Sequence, residues 1–307
     1  MELVRGLKNL SARRRGCVLT VGNYDGVHLG HQQMLRVLRE RARAMGLPAT
    51  VLVFEPSSKE FIDPQGAPPR LTRWREKWAA LAACGVDRLV TLRFDERIRS
   101  MSPQAFVDEL IAGALGTRHM VVGDDFRYGS RAAGTIETLI EAGRSHGFTV
   151  EQIAPYVVDA VRVSSTAVRQ RLERGDFAGA ARLLGRPYRI LGRVVRGEAL
   201  GRELGFPTAN LRLGRDKPPV WGVLAVRVHG IGDAPWPGVA SLGTRPTVGG
   251  VEPLLEVHVF DFAGDLYGRE LEVEFVAKLR DELKFDSLDE LVAQMREDAA
   301  AARRSLT

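Results

Sequence analysis

The strongest constraint on the fold of this 307-residue chain is a change of texture near residue 185. Upstream, short apolar runs alternate with amphipathic stretches. CVLTVG (17–22), TVLVFEP (50–56), residues 87–92, MVVGDD from 120 and FTVEQI have the character of strands; 28–46, 72–84, 103–114 and 134–146 have that of helices. Strands separated by whole helices cannot pair as hairpins, so the connections cross over and give a parallel sheet covered by helices on both faces. Functional loops then lie at the carboxyl ends of the strands. Residues 164–187 form two short helices broken at Gly175 and closed by Pro187. Beyond Pro187 the period falls to two. YRILGRVVRG, WGVLAVRVHG, PWPGVASLG, LLEVHVFDF and RELEVEFVAKL are separated by Gly, Pro and Asp turns with no helix between them. That pattern predicts a small antiparallel β-barrel. A helix with an Asp or Ser cap and apolar Leu288, Leu291 and Met295 ends the chain. The expected domains are 1–185 and 186–307.

The N-terminal stretch MELVRGLKNLSARRRG has scattered charges and no continuous apolar segment, so no signal peptide is expected. No apolar run approaches the roughly 18 residues of a membrane span, and the expected location is cytoplasmic, without a membrane partner. A formal charge of +6 invites a nucleic-acid reading. The arginines, however, are spread through amphipathic segments, with only short clusters such as Arg13-Arg14-Arg15, and no zinc-finger spacing, basic zipper or RNP-like aromatics accompany them. No nucleic-acid partner is expected, and the positive excess suits polyphosphate substrates. Cys17 and Cys84 sit in apolar settings without CxxC or metal-ligand spacing and are expected to be buried free thiols.

The segment TVGNYDGVHLGHQ (20–32) carries the most chemistry. A strand feeds a glycine-containing turn, and His28 and His31 open a helix three residues apart, on one face. Helix N-terminal N–H groups bind phosphate, and imidazoles beside them can donate to a phosphorus centre gathering negative charge. The loop is neither GxGxxG nor GxxxxGK[ST], which argues against a dinucleotide dehydrogenase and a P-loop ATPase. GNYDGVHLGHQ resembles the HxGH signature of the nucleotidylyltransferase superfamily, in the form carried by prokaryotic bifunctional riboflavin kinase/FAD synthetases. GDDFRYG (123–129) resembles that family's flavin- and nucleotide-contacting loop, and VSSTAVR (163–169) its second phosphate-binding signature. LTRWREKWAALAACGVDRLVTLRFDE resembles the stretch between the motifs. Short hydroxyls at a helix start followed by a guanidinium suit anion binding on their own account.

The resemblance implies a Rossmann-like N-terminal domain in which FMN phosphate attacks the α-phosphorus of ATP and pyrophosphate leaves. The nucleophile is already ionised, so no general base is needed; positioning and charge stabilisation suffice. His28 and His31 are assigned to the transition state, and Arg169 and Ser165 to the pyrophosphate side, with Ser164 and Thr166 near the triphosphate. Gly22, Asn23, Asp25, Gly30, Asp125, Phe126 and Arg127 are nominated for nucleotide, metal or flavin contacts. One departure stands out: the family's FEPHPxxFF is FEPSSKEF here, with Ser57-Ser58 in place of His-Pro.

GRELGFPTAN (201–210) recurs in riboflavin kinases, and the second domain resembles that fold throughout. Gly201 and Gly205 would allow close backbone approach, with Pro207 between them and the ligands. Thr208 and Asn210 offer small oxygen ligands for Mg²⁺ on a nucleotide. Glu256 sits where the family places its catalytic carboxylate, and strand alternation puts it on the same face as His258. It would take the proton of the ribityl hydroxyl as that oxygen attacks the γ-phosphorus. Arg280 is nominated for the flavin site. Departures occur here too: Leu224 replaces an aromatic, Ser241 and Val248 stand in SLGTRPTV, and the residues before GRxLGFPTAN are altered in VVRGEALGR. Leu224 and Val248 are expected to remove ring area from a ligand pocket, each costing on the order of 1–3 kcal/mol. The implied cofactors are Mg²⁺ and ATP, with riboflavin, FMN and FAD as substrates and products. Open alternatives are an enzyme with one degenerate site, a nucleotidylyltransferase acting on another phosphorylated metabolite, and a non-enzymatic flavin- or nucleic-acid-binding regulator.

Overall fold

Six parallel strands form the first sheet, with helical crossovers after the second, third, fourth and fifth. They are β1 (Glu2–Arg5), β2 (Cys17–Val21), β3 (Ala49–Phe54), β4 (Arg88–Leu92), β5 (Thr117–Gly123) and β6 (Thr149–Ile153), in the order β1-β4-β3-β2-β5-β6. The computed structural model describes residues 1–10, 16–197, 201, 204–215, 217–247 and 250–307. Arg13, Arg14, Arg15, residues 198–200, Arg202, Glu203 and Val248 lie outside the described residues. The crossovers use α1 (Leu29–Met45), α2 (Ser58–Ile62), α3 (Trp74–Ala83), α4 (Glu96–Ser100), α5 (Pro103–Ala105) and α6 (Ile136–His146). Among the described residues no helix is long and apolar enough to cross a membrane.

Strand alternation divides the apolar residues between the two faces of the sheet. Cys17, Leu19, Leu52 and Met120 pack with Leu110 and Leu139 on one side. Val18, Val51, Leu89 and Val121 pack with Leu35 and Leu81 on the other. The order of connection reverses at β2, which pairs with β3 on one side and β5 on the other. The loops following β2 and β5 therefore flank the switch point, where open α/β sheets leave a crevice.

Several details depart from the pattern of the sequence. β1 and the hairpin β7 (Val157–Val158) to β8 (Val161–Arg162) have too few residues to show a period. Residues 103–114 form one helix only in outline: after α5 the chain runs as a π-helix from Phe106 to Ala114, and Leu115 N–H reaches the Leu110 carbonyl. Cys17 is buried, but Cys84 is only half-buried, because it follows the last turn of α3 where the chain reverses at Gly85. Ser57 has a local purpose: it caps α2, accepting from Glu60 N–H while Glu60 reaches back to Ser57 N–H at 2.9 Å.

The chain divides into two compact units, Met1–Pro68 with Trp74–Val163, and Pro69–Arg73 with Ser164–Thr307. The second opens with α7 (Ser165–Glu173) and α8 (Phe177–Leu184), broken as expected at Gly175 (φ 74°). β9 (Arg189–Val195), β10 (Ala209–Arg212), β11 (Gly222–His229), β12 (Trp236–Thr247), β13 (Gly250–Val259) and β14 (Glu270–Arg280) close an antiparallel barrel in the order β10-β13-β12-β11-β14-β9. β10 is the strand that the sequence pattern hides, since it is only four residues long. Leu224, Leu242, Leu255 and Val257 fill the interior. Leu224 is fully buried in the barrel, so its replacement of an aromatic changes barrel packing. The C-terminal helix, Leu288–Leu306, is capped by Ser287, which accepts from Glu290 N–H, and buries Ala302 with Ala225 and Phe260.

Phe275 on β14 stacks between Phe177 of α8 and Tyr188, at centroid distances of 5.7 and 6.0 Å. Phe275→Ala should cost about 3–5 kcal/mol. Guanidinium unfolding of the full chain checks this, and an unchanged midpoint would refute the packing role.

Candidate active sites

After β2 the chain must turn sharply to enter α1, and it does so through left-handed backbone at Tyr24 (φ 47°), Gly26 (φ 85°) and Val27 (φ 42°). Such strain in non-glycine residues persists only where the surroundings enforce it. Here Tyr24 is buried, with its hydroxyl 2.7 Å from Thr20 Oγ1, and burial pushes its phenol pKa up. Gln32 Nε2 donates to the Val27 carbonyl at 2.9 Å, tying the turn to the helix.

His28 is the N-cap of α1, its Nδ1 accepting from His31 N–H at 3.3 Å. An accepting Nδ1 in a neutral ring leaves the proton on Nε2, where it can be donated elsewhere. The two imidazoles stack at 3.7 Å, and Tyr24 tilts against His31 at 4.8 Å. Nδ1 of His31 is buried with no hydrogen-bond partner among the described residues. Burial first, then His28 and Lys77, hold the His31 pKa well below the ordinary histidine value. Gly30 sits close under this stack: a Cβ there would stand a tight 3.3 Å from His28 Nδ1, with the Val163 carbonyl in ordinary contact at 3.5 Å. Gly22 likewise lies under the Tyr24 ring. Asp25 is half-buried and Asn23 exposed.

The loop after β5 is held by a residue the sequence did not single out. Arg162 makes a two-pronged pair with Asp124, at 2.7 and 3.0 Å, and reaches Asp125 at 3.4 Å. Asp125 and Arg127 are exposed, and Phe126 stacks on Tyr128 at 5.9 Å. In the second unit, Ser164 Oγ caps α7 by accepting from Ala167 N–H at 3.1 Å. Ser165 is half-buried, Thr166 is exposed, and Arg169 Nε donates to the Pro69 carbonyl at 2.6 Å.

The barrel carries a cavity of about 300 Å³ on its outer face. Its position follows from register: Asn210, Glu256, Ser241, Val223 and Arg280 are successive partners across β10, β13, β12, β11 and β14. Directly paired residues share a face. Glu256, Ser241, Val223, Arg280 and, on a neighbouring loop, Thr208 and Gly201 line this cavity. Asn210 is 6% exposed and lines neither cavity; its amide lies against the α-carbon of Gly197. A second cavity of about 390 Å³ is lined by Pro207, Thr208, Val257 and Tyr267, so Thr208 borders both.

The two glycines of GRELG are needed for different reasons. A Cβ on Gly201 would meet the Phe206 carbonyl at 2.5 Å and Thr208 Oγ1 at 3.2 Å. A Cβ on Gly205 would meet nothing within 4 Å among the described residues, so the φ of 82° is what calls for glycine there. Arg280 is clasped by Asp298 of the C-terminal helix, through Nε at 3.0 Å and Nη2 at 2.7 Å, while Nη1 donates to the Asp281 carbonyl. Asp298 is nearly buried and also bonded by Gln294, an arrangement that no local sequence signal announces.

The first unit thus holds a histidine pair at the switch point of a parallel sheet, and the second a closed barrel with a carboxylate-lined cavity. The family model for FAD synthetase matches residues 10–167, and that for riboflavin kinase matches residues 184–306. The bifunctional riboflavin kinase/FMN adenylyltransferase of Pseudomonas fluorescens is 50% identical, covering 99% of this chain and 97% of the relative. That of Escherichia coli (strain K12) is 49% identical with the same coverage. A solved structure described as a macrolide-efflux protein from Streptococcus pneumoniae superposes with a TM-score of 0.83 at 32% identity, covering 99% of each chain. The chain belongs to the family of bifunctional riboflavin kinase/FMN adenylyltransferases.

The lowered His31 pKa has a stability consequence of definite sign. Below the ordinary value of 6.5 the unfolded chain binds a proton at His31 that the folded chain refuses, so stability falls as pH falls. The thermal midpoint of the wild type should therefore drop more steeply between about pH 7.5 and about pH 5.5 than that of His31→Gln. Parallel slopes would mean that folded His31 takes up its proton normally.

Proposed function

We infer that this chain phosphorylates riboflavin with ATP to give FMN, and adenylylates FMN with a second ATP to give FAD and pyrophosphate. The observation that carries the reading is the sharing of one barrel cavity by Glu256 and Thr208, in a chain whose other unit holds the stacked His28–His31 pair. Residue roles follow as proposals. In the kinase reaction Glu256 takes the proton of the terminal ribityl hydroxyl, whose oxygen bonds to the γ-phosphorus as ADP leaves. In the adenylyl transfer an oxygen of the FMN phosphate bonds to the α-phosphorus. His28, with its proton on Nε2, donates to the charge gathering there. His31 stays neutral beneath it, so the pair avoids the mutual repulsion of two imidazolium rings.

On the resemblance alone, Ser164, Ser165, Thr166 and Arg169 belong to the triphosphate, and Asn23, Asp25, Asp125, Phe126 and Arg127 to nucleotide or flavin contacts. A functional boundary near residue 185 is consistent with the limits of the two family matches. Mg²⁺ fits the Thr208 hydroxyl, a hard ligand at the cavity wall; Asn210, whose amide lies against Gly197, is proposed as a second ligand on the resemblance alone. When bound, Mg²⁺ would neutralise phosphate charge. A cytoplasmic location accords with a dependence on ATP.

Chromatography of riboflavin, FMN and FAD after incubation with ATP and Mg²⁺ tests the reading, with a parallel reaction started from FMN. Wild type should give FAD in both. Glu256→Gln should form no FMN yet convert supplied FMN to FAD. His28→Ala should accumulate FMN while adenylyl transfer falls by about 10²–10³. FMN without any FAD from the wild type would leave a kinase alone.

A further inference from the structure

The antiparallel ladder between β10 and β13 ends at the pair Ala209–Val257. One step further along the same register, Thr208 stands opposite His258. The backbone has difficulty continuing the ladder there, because Pro207 has no N–H to give. The side chain of His258 takes over: its Nδ1 lies 2.9 Å from the Pro207 carbonyl oxygen. A carbonyl only accepts, so Nδ1 carries the proton and donates. The ring is set by two aromatic edges, Phe206 at 5.3 Å and Phe260 at 5.7 Å. His258 also lines the 300 Å³ cavity beside Glu256, two residues away on one face of β13, together with Phe206 and Thr208.

We propose that His258 is a positioning residue for the kinase reaction, pinning the Phe206–Thr208 corner to the strand that carries Glu256. The Pro207 carbonyl and the α-carbon of Thr208 belong to one rigid peptide unit. Holding that carbonyl fixes the height of the Thr208 hydroxyl at the border of the two cavities. Without the bond, the described backbone ladder to β13 starts at Ala209, and Gly205, at φ 82° with open space among the described residues where a Cβ would stand, gives the corner room to pivot. His258 acts through Thr208, while Glu256 keeps the proton transfer. The inference rests on the kinase reading above, and it concerns nucleotide engagement more than the base.

Three full-length proteins test it: wild type, His258→Phe and His258→Asn. Phe keeps a ring between Phe206 and Phe260 but has no donor, whereas the Asn amide nitrogen can occupy the place of Nδ1. His258→Phe should raise the KM for ATP about tenfold, the worth of one hydrogen bond, with the KM for riboflavin and kcat changed by less than about threefold. His258→Asn should recover most of the loss. FAD formation from supplied FMN should be equal in all three, and one cooperative unfolding transition of the barrel at the wild-type midpoint in each variant shows that the second unit is folded. In ¹⁵N-imidazole spectra of the ligand-free wild type, the His258 signal should report a protonated Nδ1. Kinetics of His258→Phe equal to wild type would overturn the proposal. So would an equal fall of kcat in both variants with KM unchanged, which would put the ring on the reacting atoms. An Nδ1 lacking its proton would overturn it as well. A wild type that makes no FMN would instead remove the kinase reading itself.

Discussion

Every strand exposes two rows of backbone donors and acceptors, and the way those rows are paired sets the position of both sites. In the N-terminal unit the strands are parallel, so each connection must return over a face of the sheet, and all strand ends of one polarity gather at one edge. The reversal of order at β2 opens that edge between β2 and β5. In the C-terminal unit β9 pairs with both β10 and β14, leaving no barrel edge unpaired. Closure fixes the register around the whole ring, and the register places Glu256, Ser241, Val223 and Arg280 side by side.

The two units build their candidate sites differently. The first uses a strained turn and a helix start: left-handed Tyr24 and Val27 deliver His28 to the cap position of α1, and the cap bond orients its ring over His31. Desolvation then keeps His31 neutral. The second uses strand pairing and clamps. Arg280 is held by Asp298 and His258 by the Pro207 carbonyl, so the cavity wall joins three separate stretches of chain. The departures of this sequence from its family's usual pattern fall within this scheme. Ser57 caps a short helix with Glu60, and Leu224 packs inside the barrel.

Much of this was legible in the amino-acid order, for a physical reason. Helical and extended periodicity, left-handed glycines such as Gly46 and Gly175, and caps such as Ser164 and Ser287 are interactions among residues close in sequence. So are the turn from β2 into α1 and the spacing of His28 and His31. Elements of two to four residues, β1, β7, β8 and β10, were not legible, because a period needs more residues than they contain.

What only the tertiary structure decided are the meetings of residues far apart in the chain. Arg162 reaches Asp124 across 38 residues, Arg280 reaches Asp298 across 18, and His258 reaches Pro207 across 51. The sequence nominated Asn210 as a ligand and Arg280 as a flavin contact from their motifs. Burial against Gly197 and the clasp of Asp298 depend on strand register and on helix docking, which no local spacing encodes. The sequence by itself, through its periodicity, its short motifs and the family resemblance they carry, indicated which chemistry belongs to each unit. Their distances, exposure and protonation were settled by packing, since those quantities belong to neighbours in space.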